Sequence, residues 1–181
     1  MRHTFVALVE DKPGVLNRVV SVFRRRQFNI ESLTVSNTHQ PGISRITIVV
    51  DSDKTEVERI IPYMHKLINV IQVEDLTHEP CVSRDLAMIK VSAPSESRSA
   101  ILQLAEVFRA RVVDVANDSL IIEITGDKEK IDGLVDVLQP YGIIELVRTG
   151  VIVMERGTPR LLNKTYENQS VKLPIEYKMV S

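Results

Sequence analysis

Tryptophan is absent from the 181-residue sequence, and aromatic residues make up only 4% of it. Stacking platforms for single-stranded nucleic acid or sugar rings are hard to build from so few rings. Cysteine occurs once, at Cys81, so no internal disulfide can form, which fits a reducing cytosol. No apolar run approaches the ~20 residues of a membrane-spanning helix. The start, Met1-Arg2-His3-Thr4-Phe5, leads into a β-like segment rather than a signal-peptide core. Neither sign of charge dominates: the net charge is -1, evenly spread along the chain, so no face is implied that attracts phosphate backbones or anionic lipid. The expectation is a soluble, cytoplasmic protein with no nucleic-acid partner and no membrane partner.

Chemistry-bearing motifs are equally sparse. The seven glycines are scattered singly, and GxSxG, Walker A and GxGxxG patterns are missing. The four histidines, His3, His39, His65 and His78, show no paired spacing. His78 and Cys81 flank Glu79, but a metal site needs three or four convergent ligands, so they read as linker residues. No catalytic residue and no metal ligand is assigned.

What is present is a core-forming pattern. Hydrophobic residues are 44% and charged residues 26%, the proportions of a globular chain. Residues 3–9 read as a strand. A turn signal follows at Glu10-Asp11-Lys12-Pro13-Gly14, with Pro13 expected at the first position of a helix. Val15, Leu16, Val19, Val20, Val22 and Phe23 then line one helical face. Arg24-Arg25-Arg26 places positive charge in the last turn, where the helix dipole favours it. Strands are expected over residues 28–35, 43–50 and 70–76. A helix is expected over 54–68, where Pro62 makes a kink or early end possible.

The order β-α-β-β-α-β recurs over residues 84–149, with a hairpin turn at Asn117-Asp118. The fold class is therefore α+β, two tandem ferredoxin-like (βαββαβ) units. The expected division is a first domain at 1–78, a linker at 79–83, a second domain at 84–157 and a tail at 158–181. Such a sheet carries both helices on one face. The other face is left uncovered and open to dimerisation or ligand capture.

The segment from Glu10 to Asn29 carries the most specific physical reading. A helix N-terminus exposes unpaired N–H groups with partial positive charge and can hold a carboxylate. Gly14 at that start lets a ligand approach closely. Asp11 can accept from an ammonium group, and the Asn29 amide offers donors and an acceptor. Together these describe an amino-acid site. Ordinary capping and packing explain the same residues equally well.

Val9-Glu10-Asp11-Lys12-Pro13-Gly14-Val15-Leu16-Asn17-Arg18 resembles the opening signature of ACT domains, which are amino-acid-binding regulatory modules. The continuation, Phe23-Arg24-Arg25-Arg26-Gln27-Phe28-Asn29-Ile30-Glu31-Ser32-Leu33-Thr34-Val35, is similar to the small, regulatory subunits of acetolactate synthase. So is Ile43-Ser44-Arg45-Ile46-Thr47-Ile48. In the second half, Arg84-Asp85-Leu86-Ala87-Met88-Ile89-Lys90-Val91, Phe108-Arg109-Ala110-Arg111-Val112-Val113-Asp114-Val115 and Ile144-Glu145-Leu146-Val147-Arg148-Thr149-Gly150 resemble that family's C-terminal domain. Gln27 departs from it, since glycine is frequent there and would ease a left-handed helix cap.

The resemblance implies a non-catalytic subunit with no cofactor of its own. Its partner would be a catalytic large subunit using thiamine diphosphate, Mg²⁺ and FAD. It implies activation of that partner and feedback inhibition by a branched-chain amino acid, valine first, in valine, leucine and isoleucine biosynthesis. It also implies a homodimer through the ACT domains, with the effector sites at the dimer interface. Carried onto this sequence, backbone N–H groups near Gly14, Val15 and Leu16 would hold the effector carboxylate. Asp11 and Asn29 would contact its ammonium group, and Ile30 would lie against its side chain. A stand-alone amino-acid sensor acting on another enzyme or regulator is the alternative that keeps the same residues.

Overall fold

The computed structural model describes residues 1–52 and 59–157. The expected tail at 158–181 lies outside them, as does most of the first half of the helix expected at 54–68.

Alternating apolar residues make β1 (Arg2–Glu10), and Val15, Val19, Val22 and Phe23 give α1 (Val15–Arg24) its buried face. Then come β2 (Ile30–Asn37), β3 (Ile43–Asp51), the short α2 (Ile60–Met64), which includes Pro62, and β4 (Val70–Asp75). The strands form one antiparallel-paired sheet in the order β2-β3-β1-β4. Phe5, Ala7 and Val9 of β1, Ile46, Ile48 and Val50 of β3 and the apolar face of α1 close a core on one side. Full burial of each large side chain there contributes about 1.5–3 kcal/mol.

The second unit repeats this plan. β5 (Cys81–Ser92), α3 (Ser95–Val107), β6 (Arg111–Val115), β7 (Ser119–Gly126), α4 (Lys128–Leu138) and β8 (Ile143–Arg148) give the order β6-β7-β5-β8. Asp127 caps α4 by accepting from the Lys130 N–H at 3.0 Å. Asn117 and Asp118 make the two-residue turn between β6 and β7, closed by the Ala116 N–H donating to the Ser119 carbonyl at 2.9 Å. Both halves are thus ferredoxin-like, in line with the pattern read from the sequence.

Four expectations need correction. First, three of the five residues of the expected linker 79–83 are strand: Cys81, Val82 and Ser83 open β5 and pair with a short β9 (Ile152–Glu155) that the sequence pattern did not reveal. Second, the open face of the first sheet is not left bare. Val6, Leu76 and Val153 form a buried cluster with Cys81 and Val151 against it. The β5–β9 ribbon therefore packs the second unit onto the first. Third, Pro13 is not the first helical residue, because α1 begins at Val15 after Gly14. The fourth correction concerns Asn29 and is given with the site.

Candidate functional site

The turn before α1 is built by Lys12-Pro13-Gly14-Val15. The Val15 N–H donates to the Lys12 carbonyl at 3.3 Å, and Gly14 has φ 82° and ψ -8°. This is a type II turn, with Pro in the position that fixes φ and Gly in the one that needs positive φ. Adding a Cβ at Gly14 would meet nothing within 4 Å, so the demand for glycine is conformational rather than steric. The first helical bond runs from the Arg18 N–H to the Gly14 carbonyl at 3.1 Å. No side chain caps this helix. The N–H groups of Leu16 and Asn17 therefore point out of the first turn without an intrahelical acceptor.

Around this turn, Asp11 and Gly14 are exposed, Val15 is buried in the core, and Leu16 is 40% exposed. The Asp11 N–H donates to the Gly42 carbonyl at 2.8 Å, which ties the turn to the loop before β3. Four side chains that were not among the expected site residues hold it from behind. Glu10 Oε2 accepts from Asn69 Nδ2 at 2.5 Å and from Lys12 Nζ at 3.0 Å, and Asn69 Oδ1 accepts from Arg18 Nη1. The hydrogen bonds from Lys12 and then Asn69 hold the Glu10 carboxyl below its ordinary pKa. No local pattern announces this network, because Asn69 is 59 residues from Glu10.

Asn29 and Ile30 lie elsewhere. Ile30 pairs with Val50, and Val50 with His3, whereas Asn37 pairs with Ser44, and Ser44 with Val9. β2 thus runs parallel to β1, and Ile30 stands at the end of the sheet where β1 begins. At about 3.4 Å per residue along β1, that end is roughly 20 Å from the Gly14 turn. Within one chain, Asn29 is near the C-terminal end of α1 and far from its N-terminus. Asn29 is exposed, and Ile30 is half-buried against the first core. The six expected residues therefore form two groups, Asp11 to Leu16 and Asn29-Ile30, at opposite ends of one helix.

The far end of α1 has its own geometry. Gln27 takes φ 59°. Its N–H donates to the Arg24 carbonyl at 3.0 Å, and that of Phe28 to the Phe23 carbonyl at 3.1 Å. This is a Schellman cap with glutamine in the left-handed position. The Phe23 and Phe28 rings meet edge-on with centroids 6.4 Å apart, the hydrophobic contact that accompanies such caps. Arg26 lies over the Tyr63 ring at 3.4 Å. Hydrogen bonding to Arg26 lowers the Tyr63 pKa. Among the described residues, no group of three His, Cys, Asp or Glu could hold a metal ion, and no helix is long and apolar enough to cross a membrane.

Comparisons with known proteins agree with this division. Residues 5–72 match the family model for the acetohydroxyacid synthase (AHAS) small subunit-like ACT domain, and residues 84–157 match that for the small subunit of acetolactate synthase. An Archaeoglobus fulgidus protein named as a probable acetolactate synthase small subunit is 51% identical over 160 residues, 88% of this chain and 100% of that protein. The acetolactate synthase small subunit of Mycobacterium leprae is 48% identical over 155 residues, 86% of this chain and 92% of that one. The crystal structure of the Thermotoga maritima small subunit superposes with a TM-score of 0.79 at 37% identity, covering 88% of this chain and 99% of that one. An ACT domain followed by this second ferredoxin-like unit, over nearly the whole length of these relatives, places the chain in the family of small, regulatory subunits of acetolactate synthase.

Proposed function

We propose that this chain activates a catalytic large subunit in the cytoplasm and makes it sensitive to feedback inhibition by a branched-chain amino acid, with valine the first candidate. The chemistry, with thiamine diphosphate, Mg²⁺ and FAD, belongs to the partner. The effector site is composite, lying between two copies of this chain. One copy contributes Asp11 and the first turn of α1, with the N–H groups around Gly14, Val15 and Leu16. The other contributes Asn29 and Ile30.

The observation that carries this reading is the separation of the two residue groups along α1. β2 is an edge strand, and α1 connects β1 to β2 on that side of the sheet. A two-fold pairing of β2 edges is antiparallel, and it sets the Gly14 end of each α1 beside the Asn29 end of its mate. The half-sites that one chain keeps roughly 20 Å apart then meet twice across the seam. The uncapped helix start supplies donors for a carboxylate, Asp11 supplies a partner for the ammonium, and Ile30 with the exposed Leu16 supplies apolar contact. Inhibition follows if the assembly with effector bound is the less active one, by linkage.

Gly14→Asp tests the site. It forces a Cβ into a positive-φ position and puts negative charge beside the effector carboxylate. With the reconstituted enzyme, valine inhibition should be lost while activation by the small subunit persists. Unchanged valine inhibition would remove Gly14 from the site.

A further inference from the structure

The β5–β9 ribbon does not seal completely against the first sheet. Between them lies a cavity of about 450 Å³, lined on one side by Thr34, Ser36, Arg45 and Thr47 and on the other by Val82, Arg84 and residues 152–155. That size falls within the ~300–1,000 Å³ range of small-molecule sites. Arg45 separates it from a second hollow of about 300 Å³ beside the loop after β2.

The Arg45 guanidinium on this cavity is only partly satisfied by the protein. Arg45 Nη2 donates to the Val153 carbonyl at 2.5 Å, and no other acceptor receives the guanidinium among the described residues. A guanidinium has five N–H donors. No carboxylate of the described residues lies within ion-pair distance of it, although Glu155 is on the cavity wall. Burial pulls the Arg45 pKa down, the direction expected for a cation without a counter-ion. The Thr34 hydroxyl is buried without a hydrogen-bond partner. That hydroxyl has no surface open to the cavity and sits against Gly150, so of these two groups it is the Arg45 guanidinium that is left for a ligand.

We propose that this cavity binds a short-chain organic carboxylate, held by Arg45, and that the bound molecule bridges the two domains. The site is separate from the Asp11–Ile30 effector site. The walls decide the class of ligand. Val82, Ile152, Val153 and Met154 receive a branched apolar chain. Arg45 and Arg84 face each other from opposite walls, with Glu155 the one carboxylate among the lining residues, so the lining is net positive and favours an anion over a neutral zwitterion. A phosphate dianion wants a cluster of converging donors, whereas these two guanidinium groups stand apart among apolar side chains. A branched 2-oxo acid has the fitting set of groups, with a carboxylate for Arg45, an apolar chain for the wall and a net negative charge.

Calorimetric titration of the full chain with 3-methyl-2-oxobutanoate tests this, with inorganic phosphate and valine titrated alongside. The expected result is saturable binding of the 2-oxo acid. It should weaken at least tenfold in Arg45→Met, weaken less in Arg45→Lys, and persist in Gly14→Asp. Arg45→Lys keeps the charge on a similar stem and decides the matter should Arg45→Met unfold, as judged by its melting curve. Absence of saturable binding to the wild-type chain overturns the proposal. So does equal affinity in the folded Arg45→Met variant, or a loss that follows Gly14→Asp instead. Binding of phosphate but not of the 2-oxo acid overturns the assignment to a carboxylate.

Discussion

Ser32 in the first domain accepts a hydrogen bond at 3.1 Å from the backbone N–H of Val151 in the second. The contact is close because Gly150, at φ 86°, lies flat against β2. A Cβ on Gly150 would stand 2.7 Å from Ser32 Oγ and 2.8 Å from Thr34 Oγ1. β2 thus touches the second domain through Ser32 and Thr34 and, in the proposed dimer, touches the second copy along its edge.

Gly150→Ala should loosen this seam. Left-handed backbone costs a residue with a Cβ roughly 1–2 kcal/mol, and the contacts with Ser32 and Thr34 add overpacking of about 1–3 kcal/mol. The expected outcome is a lower melting temperature and faster hydrogen exchange at the Val151 amide, with exchange in the second core, around Ile89 and Ile122, unaffected. Unaltered exchange at Val151 would mean that Ser32 contributes nothing to domain docking.

Gln27→Gly should stabilise the chain. Gln27 holds the left-handed position of the cap on α1 at φ 59°, where glycine has no steric penalty. Relief of roughly 1–2 kcal/mol of strain, less the greater freedom of glycine in the unfolded chain, leaves a gain of about 0.5–1 kcal/mol. Chemical denaturation should show a higher midpoint at unchanged slope. A lower midpoint would mean that the Gln27 side chain itself stabilises the cap.

Val35 offers a test of the proposed dimer that leaves the effector contacts in place. It lies on the edge strand β2 and is 43% exposed. Val35→Lys puts a charge where strand edges would meet, the device by which edge strands avoid pairing. Sedimentation should show a shift toward monomer, and valine inhibition of the reconstituted enzyme should fall with it. A monomeric Val35→Lys chain with full valine response would refute the composite site.

What was legible in the sequence follows the range of each signal. The period of Val15, Val19, Val22 and Phe23 is local, so α1 was readable, as was the capped α4. The left-handed cap was not readable, because Gln27 stands where a glycine would have announced it. β9 was not readable, because four residues carry too little alternation and Ile152–Glu155 becomes strand only by pairing with Cys81–Arg84. Pro13 was misplaced by one turn type, since Pro-Gly serves a type II turn as well as a helix start. Asp11, Gly14 and Asn29 were selected by residue chemistry, but their separation follows from the parallel course of β1 and β2, which spacing along the chain does not encode. Arg45 looked like one arginine in a strand until the second domain covered its face.

Arg148 joins three elements of the second domain. Its Nε donates to Asp85 Oδ2 at 2.7 Å and its Nη1 to Asp132 Oδ1 at 2.8 Å. Asp85 is 4% exposed and also accepts from Thr149 Oγ1 at 3.1 Å. Arg148→Met keeps the stem but strands a buried carboxylate, a change that costs about 3–5 kcal/mol where nothing compensates. The remaining Thr149 bond puts the expected loss near the lower figure. Asp85→Leu combined with Arg148→Met should recover much of it, since no charge then stays buried. Asp132 differs, with 36% of its side chain exposed. Hydrogen bonds from Lys128 first, then Arg148, hold its pKa below the ordinary value. A depressed carboxylate gives its stabilisation at neutral pH and loses it as pH falls below about 4, through the folded value. For so exposed a pair the contribution is about 0.2–1 kcal/mol. Denaturant titrations at pH 7 and pH 3 should show Asp132→Asn losing less stability on acidification than the wild type. If Arg148→Met were as stable as the wild type at pH 7, Asp85 would not depend on Arg148, and the bridge would be packing alone.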